Sequence, residues 1–155
     1  MIWQIQSNRF DLEAGFEITV QVPQPHAKAL LQAVYQVTAL DYGDYDHVSF
    51  QTEVGTQRFR SLPGGRNAAT DQVVEVPCVE LSFFVADHQI VKNVVETLFA
   101  QHPYEEPVIL IRSAWRTLHR AGMDEDNPNK FWNRPSEDWV PEFHRIKPHK
   151  SGQVP

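Results

Sequence analysis

The segment HPYEEP, residues 102–107, holds side chains suited to binding a metal ion. His102, Glu105 and Glu106 supply an imidazole and two carboxylates, and zinc accepts both kinds of ligand. His47, in the separate segment YDHVSF, would complete a His-His-Glu site for a divalent metal ion if the fold brought it to His102. The two glutamates are adjacent, however, and adjacent side chains of an extended chain point to opposite sides. The sequence leaves open whether the two histidines converge.

HPYEEP also suits a purely structural role. His102 can end a helix and bond its last carbonyl groups, and Pro103 cannot continue that helix. Tyr104 can pack against the domain, and Pro107 can begin an edge strand, where its missing N–H group does no harm. On this interpretation the segment stops a helix and starts a strand.

Three arginines form a second group of candidates, for binding an anion. Arg58 and Arg60 are two residues apart on a predicted strand, so they share a face and could clamp a carboxylate. Arg66, in a glycine-rich loop, could join them. The alternative is that these are solvated charges on an edge strand, where they discourage aggregation. The remaining ligand-binding candidates are polar side chains of the two motifs: Tyr45, His47, Ser49 and Tyr104.

The sequence shows no catalytic constellation. Cys78 is the only cysteine, has no histidine near it in the sequence, and is expected to be a small buried residue. No nucleophile elbow, Walker loop, HExxH motif or dinucleotide fingerprint occurs. These observations favour a non-enzymatic binding or regulatory module. The alternative is a metal-binding protein or a metal-dependent hydrolase-like enzyme that uses His47, His102 and Glu105.

Charge and hydropathy indicate which binding partners and which cellular location to expect. The 155-residue chain has a net charge of −6, and residues 1–112 carry seven basic against fourteen acidic side chains. An acidic domain repels phosphate backbones, so nucleic acid is not expected as a partner. The apolar stretches have only strand length, so no membrane span is expected. The N-terminus lacks a signal-peptide pattern, and we expect a soluble cytoplasmic protein.

Periodicity predicts a ferredoxin-like α+β fold. Strands alternate apolar and polar residues, and helices repeat apolar residues every three or four positions. The order is strand, helix, strand, strand, helix, strand, which is the βαββαβ arrangement with an antiparallel sheet and both helices on one face. An extra hairpin is expected after the second strand. The predicted strands are 16–22, 48–53 with a return arm at 57–62, 79–85 and 108–111, and the predicted helices are 25–39 and the segment that follows the N-cap Asp87.

The C-terminal residues have a different character. We divide the chain into a ferredoxin-like domain, 1–112, and an irregular arm rich in tryptophan and proline, 113–155, with at most one or two helical turns around 113–121. The arm is expected to pack on its own domain or on a neighbouring subunit, because disordered tails are poor in aromatic residues. The interface candidates are Phe84, which stands on an otherwise polar sheet face, and Trp115, Trp132 and Trp139.

Three segments carry a resemblance to a known family. YDHVSF (45–50), GTQRFRSL (55–62) and HPYEEP occur in one order, and with their flanking elements they resemble the PII-like, CutA-like domain inserted in Nif-three-like proteins. The same domain also occurs alone in short bacterial proteins. The resemblance covers about residues 14–112. The chain departs from the family at Gln57, where a glycine is usual, at Ser61, and at Asn67-Ala68.

The resemblance implies a module that binds ligands with its loops and associates with itself. Such domains commonly form dimers or trimers through sheets and hairpin edges, so self-association is expected, and a small molecule or another protein is a further candidate partner. Full-length Nif-three-like proteins carry their metal sites in two flanking lobes. The segments outside residues 14–112 are too short to supply such lobes, so the resemblance carries over no metal ligand and no hydrolase activity.

Overall fold

Two helices lie on one face of an antiparallel sheet, as the periodicity predicted. The computed structural model of the protein describes residues 5–134 and Phe143. The elements in chain order are β1 (Phe10–Val22), α1 (Gln24–Tyr35), β2 (Phe50–Gln51), β3 (Gly55–Phe59), β4 (Val74–Val85), α2 (His88–Gln101) and β5 (Ile109–His119), followed by a 3-10 helix (Phe131–Asn133). The sheet order is β2-β4-β1-β5, which is that of a ferredoxin-like fold.

The core lies between the sheet and the helices. Every second residue from Ile18 to Val22 in β1 and from Val79 to Val85 in β4 is buried in the core, and each helix contributes an apolar stripe. The buried set consists of Ile18, Val20, Val22, Ala27, Leu30, Val34, Leu40, Val79, Leu81, Phe83, Val85, Val94 and Leu98. Among residues 5–134, no helix combines the length and apolar character needed to cross a membrane.

The predicted hairpin between residues 48–53 and 57–62 is wrong. β2 and β3 do not pair with each other, because both pair antiparallel with β4. Gln51 lies opposite Leu81 and Gly55 opposite Cys78, so one extra residue on the β2–β3 side forms a bulge between the two strands. Gly55, which lies between the two predicted arms, is the first residue of β3 and does not form a turn. The observed hairpin joins β3 to β4 through residues 60–73, the segment that contains the Pro63-Gly64-Gly65 turn.

The prediction of one or two helical turns around residues 113–121 is also wrong. β5 continues to His119 and pairs with β1 over eleven residues, from Ile109 opposite Val20 to His119 opposite Phe10. The ion pair between Arg116 and Glu13, 2.6 Å from Nε to Oε2, lies across this ladder. Pairing with a strand about a hundred residues away thus overrides the local pattern. The strand crosses residue 112, and the division of the chain there stays a prediction.

Candidate functional site

A pocket opens where β3, the 60–73 loop and HPYEEP meet. Its volume is about 760 Å³, which falls in the range of roughly 300–1,000 Å³ typical of small-molecule sites. Four of the predicted ligand-binding residues and two of the predicted metal ligands lie around it. The lining consists of Gln21, Thr56, Gln57, Arg58, Phe59, Arg60, Ser61, Arg66, Asn67, Pro103, Tyr104, Glu105, Glu106 and Val108.

His102 anchors HPYEEP to the sheet. It follows α2, and its backbone N–H donates to the Leu98 carbonyl at 2.9 Å. Its Nδ1 atom accepts a hydrogen bond from the Tyr104 N–H at 3.0 Å, so its Nε2 atom carries the proton and donates to the Gln21 carbonyl oxygen at 2.8 Å. Burial lowers the pKa of His102 because it disfavours the charged ring. Both ring nitrogens are therefore occupied by structural hydrogen bonds.

A chain of polar side chains forms the sheet side of the pocket. Gln57 Nε2 donates to Gln21 Oε1 at 2.9 Å, and Gln21 Nε2 donates to Glu80 Oε2 at 3.4 Å. The buried Cys78 Sγ lies 3.9 Å from Gln57 Oε1 and 3.8 Å from the Tyr104 hydroxyl. Burial, and then the Cys78 contact, raises the pKa of Tyr104. Gln21 and Gln57 were not among the predicted ligand-binding residues, although position 57 is one at which the chain departs from the family glycine.

The three arginines at the pocket differ in their ion-pair partners. Arg58 pairs with Glu75 across the hairpin, 2.7 Å from Nε to Oε1, and both side chains are exposed. Arg66 contacts Glu105, with 3.7 Å between its Nε and Oε2. Arg60 is exposed, and no hydrogen bond or ion pair joins its side chain to another residue of the 5–134 segment. The pocket therefore presents at least one guanidinium that no carboxylate of this segment neutralises.

The residues predicted in YDHVSF lie elsewhere. The Tyr35 hydroxyl, at the end of α1, lies 3.3 Å from Ser49 Oγ and 3.4 Å from the His47 carbonyl oxygen. The rings of Tyr35 and His47 meet edge to face at 4.2 Å, and His47 Nδ1 lies 2.9 Å from Asp46 Oδ1. Tyr45 faces solvent in the same turn and lies outside the pocket lining. This segment is therefore packed onto the C-terminal end of α1.

The structure does not bring the two predicted metal-binding histidines together. His47 contacts Tyr35 at one end of α1, whereas His102 is close enough to His26, at the other end, for their charges to interact. His26 and Tyr35 are nine positions apart along the helix, which corresponds to an axial rise of about 14 Å. Glu105 and Glu106 line the pocket with neither histidine in its lining. Within residues 5–134 no group of three or more His, Cys, Asp and Glu side chains could hold a metal ion.

The predicted interface residues differ in exposure. Phe84 is partly covered within the chain, because its ring lies over Gly15 and the Arg116 guanidinium stands 4.6 Å from its centroid. Trp115 on β5 is 41% exposed. Trp132 lies in the 3-10 helix, with its ring 6.1 Å from that of His119. Trp139 lies outside the described residues.

Comparison with solved structures identifies the fold. A Bacillus cereus protein related to NIF3 has a TM-score of 0.57 and 25% sequence identity, and the match covers 67% of this chain and 26% of that chain. The chain thus spans about a quarter of that protein. The divalent ion tolerance protein CutA1 from Ehrlichia chaffeensis, at a TM-score of 0.50, 11% identity and coverage of 70% of this chain and 84% of that one, shares the fold. No protein-family model matches the chain, and no curated protein matches its sequence.

Proposed function

We propose that this chain, whose domain is CutA- and NIF3-like as its motifs predicted, is a regulatory module that binds a small molecule carrying a phosphate or carboxylate group. The observation that carries the proposal is the convergence of Arg58, Arg60 and Arg66 with HPYEEP around one pocket of about 760 Å³. A guanidinium binds such oxyanions through two parallel hydrogen bonds, which gives both energy and orientation.

The charges around the pocket support an anionic ligand with a further polar group. Arg60 has no carboxylate partner in the 5–134 segment, so it is the first site for the anion. Phe59 and Tyr104 supply flat apolar surface beside it, and Gln57 supplies a hydrogen-bonding amide group. A few polar groups in a partly apolar lining are typical of small-molecule sites. The Cys78 thiol contacts both Gln57 and the Tyr104 hydroxyl. This wall of the pocket is therefore formed in the absence of a ligand.

The direct test is binding of defined anions to the full chain. Isothermal titration with pyrophosphate and with citrate should detect binding that weakens about tenfold or more in Arg60→Ala, equivalent to about 1.4 kcal/mol. Arg112→Ala is the matched control, because Arg112 is an exposed strand arginine outside the pocket lining. Equal affinities in the two variants, or no binding of either anion by the wild-type protein, would contradict the proposal.

Self-association is a second proposed property, supported by a different observation. The outer edge of the sheet, formed by β2 and β3 with the flanking 60–73 loop, exposes apolar side chains: Phe50 is 67% exposed, Leu62 62% and Val73 60%. An unpaired edge strand with apolar side chains is a template for pairing with another chain. Dimers or trimers formed through this edge would cover it.

Light scattering after size exclusion tests this second proposal. We expect the wild-type protein at about 100 µM to be larger than a monomer, and Phe50→Lys to be monomeric because an edge lysine opposes strand pairing. Phe99→Lys is the matched control, since Phe99 is similarly exposed but lies on α2. A monomeric wild-type protein, or equal disruption by both variants, would rule out association through this edge.

A metal-related role is the alternative with weaker support. Glu105 and Glu106 stand at the pocket, but His47 lies beyond the far end of α1 and both ring nitrogens of His102 are occupied. A rise in the melting temperature on adding zinc, lost in Glu106→Ala and kept in His47→Ala, would favour a carboxylate-based metal site in this pocket.

A further inference from the structure

Glu105 holds the tip of the 60–73 loop against HPYEEP. The backbone N–H of Arg66 donates to Glu105 Oε1 at 3.0 Å and lies 3.4 Å from Oε2, and the Arg66 Nε atom is 3.7 Å from Oε2. A Cβ atom on Gly65 would stand only 3.2 Å from Oε1, so the carboxylate rests against the loop backbone. The preceding Gly64 has a φ of +107°, a conformation that L-residues avoid. One carboxylate is therefore bound by a backbone amide and a guanidinium.

The base of this loop is closed independently of Glu105. The Ser61 N–H donates to Thr70 Oγ1 at 3.0 Å, and the Thr70 N–H donates to the Ser61 carbonyl at 3.0 Å. Between these two residues, the hydrogen bonds that link residues 62–69 to the rest of the 5–134 segment are those to Glu105. The loop can therefore lose the Glu105 contact and still remain attached to the sheet at its base.

We propose that Glu105 occupies an anion subsite of the pocket, and that an oxyanion group of the ligand displaces it from Arg66. The inference rests on the proposed function, because it assumes that this pocket binds a phosphate- or carboxylate-bearing molecule. The chemistry of the subsite supports it: backbone N–H groups in glycine-rich loops and guanidinium groups are recurrent anion ligands. A carboxylate from the protein already shows what the subsite accepts.

The Glu105 contact is weak enough to be exchanged. The Arg66 side chain is 89% exposed and that of Glu105 43%, and ion pairs between such exposed side chains contribute little to stability. A ligand phosphate with two or three acceptor oxygens makes stronger contacts with the same groups. Displacement frees the loop tip from HPYEEP while the Ser61–Thr70 closure persists. Ligand binding would thus change the conformation of residues 62–69 at the protein surface.

The test compares two adjacent glutamates of the same pocket. Glu105→Ala removes the competing carboxylate, and Glu106→Ala removes an equal charge from the lining without touching Arg66. Isothermal titration of the full chain with pyrophosphate should show about threefold to fivefold tighter binding in Glu105→Ala, the range that follows from the loss of one exposed ion pair. A general charge effect alone would tighten binding equally in both variants. Parallel titrations with citrate establish whether the subsite prefers a phosphate or a carboxylate.

A second readout follows the loop directly. In the wild-type protein, pyrophosphate should shift the Arg66 and Gly65 amide resonances in a ¹H–¹⁵N spectrum, and Glu105→Ala should shift them before any ligand is added. Equal tightening in the two variants, or an Arg66 amide that pyrophosphate leaves unchanged, would overturn the inference and leave the proposed function standing. If neither the wild-type protein nor either variant binds pyrophosphate or citrate, the proposed function fails as well.

Discussion

The imidazole of His102 and the carbonyl group of Gln21 join the end of α2 to the end of β1, 2.8 Å apart from Nε2 to oxygen. With the Tyr104 N–H on Nδ1, the ring bridges two backbone groups that would otherwise lack partners. These two hydrogen bonds fix the position of His102 at the start of HPYEEP. The next residues of the motif, Tyr104, Glu105 and Glu106, therefore line the pocket. The motif that the sequence offered as a metal site thus positions one wall of the pocket.

Loss of the His102 ring should destabilise the fold. His102→Ala leaves the Gln21 carbonyl and the Tyr104 N–H without their partner, and an unsatisfied buried polar group costs about 1–3 kcal/mol. We expect a decrease of that size in the free energy of unfolding, measured in urea. His47→Ala is the control, because the half-exposed His47 ring makes its ion-pair and ring contacts with the side chains of Asp46 and Tyr35. An equal decrease in both variants would contradict the bridging role.

His102 should also make stability depend on pH. Its pKa in the folded state is lower than the ordinary value of 6.5, chiefly because of burial. Between the two values the unfolded chain binds more protons, so stability rises with pH in that window. The contribution is complete above about 6.5 and is lost as the pH falls through the folded pKa. Unfolding in urea at about pH 5 and pH 7.5 should show this difference, and His102→Ala should reduce it. A difference of the same size in the variant would assign the effect to other groups.

Gly15 should not tolerate a side chain. A Cβ atom there would lie 2.5 Å from Phe84 Cζ and 2.6 Å from the Val85 carbonyl oxygen, so the ring that Arg116 covers would have to move. We expect Gly15→Ala to cost about 1–3 kcal/mol by overpacking. Gly55→Ala is the matched strand control, because its nearest neighbour would be the Cys78 carbonyl oxygen at an ordinary 3.7 Å. Thermal unfolding of both variants checks this, and a tolerated Gly15→Ala would show that Phe84 can relocate.

Asp124 should hold the segment after β5 to the domain. Its buried carboxylate accepts from Asn127 Nδ2 at 2.9 Å and lies 3.3 Å from Arg9 Nε. The Asn127 hydrogen bond, with Arg9 as a further cause, keeps the pKa of Asp124 below its usual range. Asp124→Ala should speed hydrogen exchange in residues 120–134 and leave β4 amides unchanged, whereas the exposed Asp126→Ala should alter neither. Faster exchange in β4 as well would show that this segment supports the core.

Local patterns were enough to predict the main elements. The alternation in β1 and β4 and the apolar stripe of α2 depend only on neighbouring residues, and the predicted N-cap Asp87 accepts from the Gln89 N–H at 2.9 Å. The ferredoxin-like arrangement followed from the order of these elements. The extent of β5 did not follow, because its length depends on a partner strand that begins at Phe10.

The pairing of β2 and β3 shows the same limit. A glycine between two short segments of mixed polar and apolar residues is compatible with a turn and with a bulge, and pairing with β4 decides between them. Local residue preferences cannot distinguish the two when both conformations are accessible to the same residues. The hairpin prediction failed for that reason.

The sequence by itself determined the fold class and which side chains were available: two arginines in GTQRFRSL, a third in the loop that follows it, and a tyrosine and two glutamates in HPYEEP. Only the tertiary structure decided that Arg58, Arg60, Arg66 and Tyr104 line one pocket and that His47 stands at the other end of α1. Helix length and strand register set these distances, and both depend on packing between segments that are far apart in the chain. Residue types therefore predicted the candidate ligand-binding side chains, and the packing of distant elements decided which of those side chains line one pocket.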